Sequence, residues 1–195
     1  MQKFEAKSFN IPEMKGISQK TIEEHLKLYE GYVKLFNLIH EIVEDQNNQE
    51  FVRREIYRRQ AFEFDGIRNH EIYFGSLEGG AKVLAEDSNL NKQIIKEGST
   101  LEKRVEIFKN LATTRGIGWA MLGWDKTSEC LIQYWVDEQH LGHLTGVLPI
   151  LALDMWEHAF VADYQPSGKK QYIEDFFENL NWSVIEKNYE EAIGK

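Results

Sequence analysis

The sequence predicts an α+β fold: an N-terminal antiparallel helical hairpin over residues 1–80, then a domain over residues 81–195 in which helices flank a small antiparallel sheet. Three observations carry this reading. Apolar residues recur at helical spacing through the first part of the chain, Gly79-Gly80 interrupts that pattern, and the period then changes to short apolar runs joined by polar turns.

The first helix follows Ser18-Gln19-Lys20-Thr21, where Ser18 or Thr21 can cap it and Glu23 and Glu24 suit the positive end of its dipole. Ile22, Leu26, Tyr29, Val33, Phe36 and Ile39 form its apolar stripe, which fades in the polar run from Glu44 to Asn48. A second helix starts near Glu50 and passes through Phe64, His70 and Phe74 to Gly79-Gly80, so the two make a hairpin. Gly66 lies inside it, where glycine is unfavourable and requires an explanation.

Two shorter helical patterns follow, Asn91 to Lys96 and Thr100 to Thr113. Gly118 to Trp124 and Cys130 to Val136 then flank the polar connection Asp125 to Glu129, as in a β-hairpin with a longer loop. Val147 to Leu153 is apolar on both faces, which predicts a strand that is central or covered on both sides. Short helices around His158 to Tyr164, Lys170 to Leu180 and Val184 to Ile193 complete the chain.

Composition narrows the function. With 42% hydrophobic and 12% aromatic residues the chain can build a substantial core. A formal charge of -9 repels phosphate backbones and argues against a nucleic-acid partner. The longest apolar run is far short of the roughly 20 residues needed to cross a bilayer, so no membrane role is expected. The single Cys130 and the polar start of the chain read as a cytoplasmic protein.

The chemistry lies with histidine. Asp154 and His158 emerge together just past an apolar strand; alone, such a pair is an ordinary hydrogen-bonded core contact. His25 in the first helix and His70 in the second can face each other across the hairpin seam, as ligands do in helical-bundle metal sites. Three imidazoles and one carboxylate suit a first-row transition metal such as iron or manganese, and suit zinc less uniquely.

The run Asp154-Met155-Trp156-Glu157-His158-Ala159-Phe160-Val161-Ala162-Asp163-Tyr164 resembles the D-x-W-E-H-A-Y-Y-x-x-Y signature of the iron/manganese superoxide dismutases. Similar segments extend over most of the chain: Thr21 to His25, Asn69 to Phe74, Gly116-Ile117-Gly118-Trp119 and Asn181-Trp182. The resemblance implies one iron or manganese ion held by His25, His70, Asp154 and His158, with a solvent molecule as fifth ligand and Trp119 and Trp156 as walls. It further implies a three-stranded antiparallel sheet in the second domain, superoxide as substrate, and a homodimer in which Glu157 reaches a ligand histidine of the other subunit.

This chain departs from the family pattern in several places. The gateway tyrosine expected eight residues after the first ligand is Val33, which leaves Tyr32, at seven, as the candidate catalytic residue. The histidine frequent four residues after that ligand is Tyr29, and the second tyrosine of A-Y-Y is Val161. Gly66 stands where iron enzymes of the common bacterial type carry a glutamine, so a side chain from the sheet domain should fill the space beside the metal-bound solvent. His140, nine residues before Pro149, is preferred for that task over Gln139. His40 and His143 are expected to be structural, and Arg53-Arg54 and Arg58-Arg59 to be solvated pairs. Lys169-Lys170 lie near the family's basic funnel residue. Two alternatives stand beside the dismutase: a metal-binding relative without turnover, suggested by Tyr29, Val33 and Val161, and a non-haem iron oxygenase using two histidines and a carboxylate.

Overall fold

The computed structural model describes residues 3–194. Helix α1 (Gln19–Glu44) starts at Ser18, whose side chain accepts a hydrogen bond from the Thr21 amide. Its buried stripe comprises Ile22, His25, Tyr29, Val33, Phe36 and Ile39, so one histidine takes a place in an otherwise apolar series. Helix α2 (Glu50–Leu77) returns antiparallel to it. No residue is buried from Glu50 to Ala61, and burial becomes dense from Phe62 onward, where α2 enters the body of the protein.

Helices α3 (Asn89–Lys96) and α4 (Leu101–Ala112) are capped by the Ser88 and Thr100 side chains. The sheet comprises β1 (Gly118–Asp125), β2 (Cys130–Asp137) and β3 (Val147–Asp154), antiparallel throughout in the order β2-β1-β3. This is the three-stranded antiparallel sheet that the resemblance implied. β1 is therefore central and β3 an edge strand, although residues Ile150 to Asp154 of β3 are all buried because α2 and α7 (Trp182–Ile193) pack against it. Pro149 is accommodated at this edge beside a register shift opposite Leu122 and Gly123, where a missing amide costs no ladder bond.

After β3 come a 3-10 turn (Glu157–Ala159), α5 (Val161–Tyr164), a second 3-10 turn (Pro166–Gly168) and α6 (Lys169–Asn179). The hairpin and the sheet share one apolar core that includes Tyr73 and Phe74 of α2, Trp119 of β1, Leu153 of β3 and Phe176 of α6. The Tyr73 and Phe176 rings stack 5.4 Å apart and clamp the hairpin to the C-terminal helices. Among the described residues no helix is long and apolar enough to cross a membrane.

Candidate metal centre

Four elements converge at the end of β3. α1 brings His25, α2 brings His70, β3 ends in Asp154, and the following 3-10 turn brings His158, with one potential ligand atom of each lying within 4.8 Å of all the others. Asp154 Oδ2 is 3.0 Å from His25 Nε2, 3.2 Å from His158 Nε2 and 3.6 Å from His70 Nε2. These separations fit a shared ion: bonds of about 2.1 Å put neighbouring donors about 3.0 Å apart at right angles and about 3.6 Å apart at 120°. His70 Nε2 is buried and has no hydrogen-bond partner, an expense that a bound cation would remove.

The surroundings favour the coordinating forms of His70 and Asp154. The His70 Nδ1 lies 2.6 Å from the Gly66 carbonyl oxygen; a proton on Nδ1 makes that bond and leaves the Nε2 lone pair facing the cluster. Burial, reinforced by nearby His25, pushes the His70 imidazole down to about 3, and burial likewise lowers His25 against the opposing pull of Asp154. Burial alone would raise the Asp154 carboxyl, but the charge of His158 and hydrogen bonds from His158 and His25 hold it well below the usual carboxylate range. The result is an ionised Asp154 carboxylate beside two imidazoles, His25 and His70, whose protonation burial disfavours. Asp154 Oδ1 also accepts from the Trp156 amide at 2.8 Å, and the Asp154 carbonyl accepts from the Tyr172 hydroxyl at 3.0 Å. Trp119 meets the His70 ring edge-on at 4.9 Å and Trp156 stacks on His158 at 5.9 Å, so both tryptophans wall the site as expected.

Beyond the ligands a hydrogen-bonded chain leads outward. The Trp119 Nε1–H donates to Gln139 Oε1 at 2.9 Å, and Gln139 Nε2 donates to the Tyr32 hydroxyl oxygen at 2.9 Å. An indole can only donate, so it fixes which end of the amide faces Tyr32. Gly66 now has its explanation: a Cβ there would lie 2.6 Å from the Tyr32 ring. The space expected beside Gly66 is filled by Tyr32, and a sheet-domain side chain reaches in behind it.

That side chain is Gln139, whereas the sequence favoured His140. Gln139 is fully buried, whereas His140 turns away to pack its ring edge-on against Phe62 at 5.6 Å. The physical cause is the tight turn between Asp137 and Leu141, with Glu138 in the left-handed region at φ 52°. The Gln139 carbonyl accepts from Asn69 Nδ2 at 2.9 Å, which locks this turn to α2. Tyr29 is fully buried and bonds within its own chain, accepting from the Lys7 amide at 2.9 Å and donating to Glu71 at 3.2 Å. Glu157 is exposed on this chain. The Lys169 ammonium is committed to the Thr114 carbonyl at 2.7 Å. Arg59 is exposed, as read from sequence, and its guanidinium also pairs with Glu63, a buried acid four residues further on.

Comparison with known proteins bears on the same residues. The family description "Iron/manganese superoxide dismutases, C-terminal domain" matches residues 86–188, which contain Trp119, Gln139, Asp154 and His158. The iron superoxide dismutase of Aquifex pyrophilus is 34% identical over 203 residues, covering 99% of this chain and 94% of that protein. That of Aquifex aeolicus is 34% identical over 92% of this chain and 87% of its own length. The manganese superoxide dismutase of Mycolicibacterium paratuberculosis is 30% identical, covering 88% of this chain and 83% of that protein. A buried cluster of three imidazoles and one carboxylate, on a helical hairpin docked to a three-stranded sheet and with relatives matched across nearly the whole chain, leads to one conclusion: this chain belongs to the iron/manganese superoxide dismutase family.

Proposed function

We infer that this chain is a superoxide dismutase that converts two superoxide ions and two protons into dioxygen and hydrogen peroxide. The observation that carries the reading is the buried His25, His70, Asp154 and His158 cluster in a member of this family. When bound there, iron or manganese supplies the redox chemistry by alternating between its +3 and +2 states. The protein's share is to hold four donors, exclude bulk water and deliver protons. The four donors are largely buried: the side chains of His25, His70 and Asp154 are 0% exposed and that of His158 only 22%. The near-complete burial of these four side chains leaves little room for an organic substrate beside them, which disfavours an oxygenase.

Tyr32 and Gln139 are proposed to handle the protons. Because Gln139 Nε2 donates to Tyr32, the phenol accepts there and keeps its own hydrogen free to donate. Burial above all raises the Tyr32 phenol, so it stays protonated across physiological pH. Gln139, held by Trp119 at one end and Tyr32 at the other, is proposed to take the tuning role assigned from sequence to His140, because a fixed amide in a low-dielectric site influences any group it faces. The decisive comparison is Gln139→Ala against His140→Ala in the metal-loaded protein. Both should keep their metal, the first losing roughly 10- to 100-fold in turnover and the second staying near wild type. Loss of turnover in His140→Ala with Gln139→Ala unaffected would return the role to the histidine.

We also propose a homodimer in which Glu157 meets the partner subunit's His158. The support is that Glu157, between the partly buried Trp156 and His158, is exposed on the single chain and has no ion pair among the described residues. A monomer by light scattering, with activity unchanged in Glu157→Ala, would defeat this.

A further inference from the structure

One ion pair on α2 has ends that face opposite ways. Arg59 Nε donates to Glu63 Oε1 at 2.8 Å, yet the glutamate side chain is 3% exposed and the arginine side chain 57%. The guanidinium carbon sits 3.5 Å from the centre of the Phe62 ring, which is 6.0 Å from the Tyr32 ring. Arg59 is therefore pinned by a carboxylate on one edge and an aromatic face beneath, a rigid setting for a long side chain. Neither of its Nη groups makes a hydrogen bond among the described residues. The pair is neutral as a whole but polarised, with the negative end buried and the positive end toward solvent.

Tyr32 lies within the field of both ends. Burial first, then the charges of Asp154 and Glu63, push its phenol up, and Arg59 opposes them. Arg59 is the cation named among the charges acting on Tyr32, while Lys7 and Arg68 both pair with Glu71 and the Lys169 ammonium is held at the Thr114 carbonyl. An approaching anion otherwise meets a chain of formal charge -9, so a fixed outward cation beside Tyr32 has a disproportionate effect on encounter.

We propose that Arg59 is a specificity-determining residue that captures the superoxide anion at the solvent side of Tyr32, with Glu63 as the residue that positions it. This rests on the dismutase reading, and the test separates the two. In the iron-loaded protein, kcat/KM is measured against ionic strength for wild type, R59Q, R59K, K169Q and the double variant R59Q/E63Q. The affinity for azide, a small anionic probe, is read from visible absorption in the same set. R59Q should lower kcat/KM roughly 3- to 10-fold at low salt with kcat little changed, flatten the salt dependence, and weaken azide binding by a similar factor. R59K should restore most of each. The double variant, which leaves no buried carboxylate unpaired, should match R59Q and so shows that the loss is not one of folding. Wild-type salt dependence and azide affinity in both R59Q and the double variant would overturn the proposal, as would a flattened slope in K169Q alone. Absence of turnover in iron-loaded wild type would instead defeat the dismutase reading, and azide affinity would then decide the role of Arg59 by itself.

Discussion

The two ends of the helical hairpin differ in almost every respect. At the inner end, His25 and His70 lie among Tyr73, Phe74 and Trp119, all 0% exposed. At the outer end, Phe51 is 65% exposed and Tyr57 51%, and the helix surface is laced with exposed pairs such as Arg54–Glu50 and Arg58–Glu55. One pair of continuous helices thus serves two purposes. Where the sheet covers it, the hairpin is a packed frame that brings His25 and His70 to Asp154 and His158; where it is exposed, helix propensity and weak i, i+3 and i, i+4 pairs sustain it. Rigidity here comes from burial, not from the helix itself.

The sharpest test of this contrast is to remove a ligand. His70→Ala or Asp154→Ala should abolish metal binding and dismutation together, checked by metal analysis of purified protein; full occupancy in either would break the assignment. Metal binding to the folded state adds to its stability, so both variants should also melt lower than loaded wild type.

The next test compares the ends directly. Phe74 packs 4.9 Å from His25 and 6.0 Å from His70, and Phe74→Ala should cost about 3–5 kcal/mol, read by denaturant unfolding. Phe51→Ala at the exposed end should change stability by no more than about 0.5 kcal/mol. Equal effects at both ends would remove the distinction.

Acid should act at the inner end. In the metal-free protein the folded-state His70 is lowered to about 3 from an ordinary 6.5, so the unfolded chain binds the proton first as pH falls. Stability is whole above about 6.5 and declines below it, by up to about 1.4 kcal/mol per pH unit for each such histidine, His25 adding in the same direction. Asp154, depressed when folded, extends the loss below its ordinary 3.8. Urea unfolding at stepped pH measures the slope, and a flat profile between pH 7 and about 4 would contradict it.

A final test concerns Gly66. A methyl group there meets the Tyr32 ring, so Gly66→Ala should destabilise by about 1–3 kcal/mol and displace Tyr32 from Gln139. Loss of turnover with metal retained would mark the displacement.

Much of this was legible in the residues. Helical spacing put His25 and His70 on facing sides of two helices, and the strand ending at Asp154 with His158 four residues later placed the other two ligands. Both patterns are local and repeat with the period of the element that carries them, so they survive without any knowledge of neighbours. The apolar run from Val147 to Leu153 was equally plain as a covered strand, but its edge position depends on which strands pair, and composition is silent on that.

The sequence by itself determined the elements, and its resemblance to the family implied the four ligands and the need for something beside Gly66. Only the tertiary structure decided what that something is. Gln139 and His140 are adjacent, and which of them faces the interior depends on a single left-handed residue, Glu138, in a turn closed by Asp137 and Leu141 and tied to Asn69. The same holds for Tyr32, whose ring fills the room above Gly66 only because two helices cross there, and for Arg59, whose surface helix position conceals a bond to a buried acid. Periodicity reports which face of an element is apolar; it carries no information about side chains whose direction is set by a turn or by a neighbour distant in sequence.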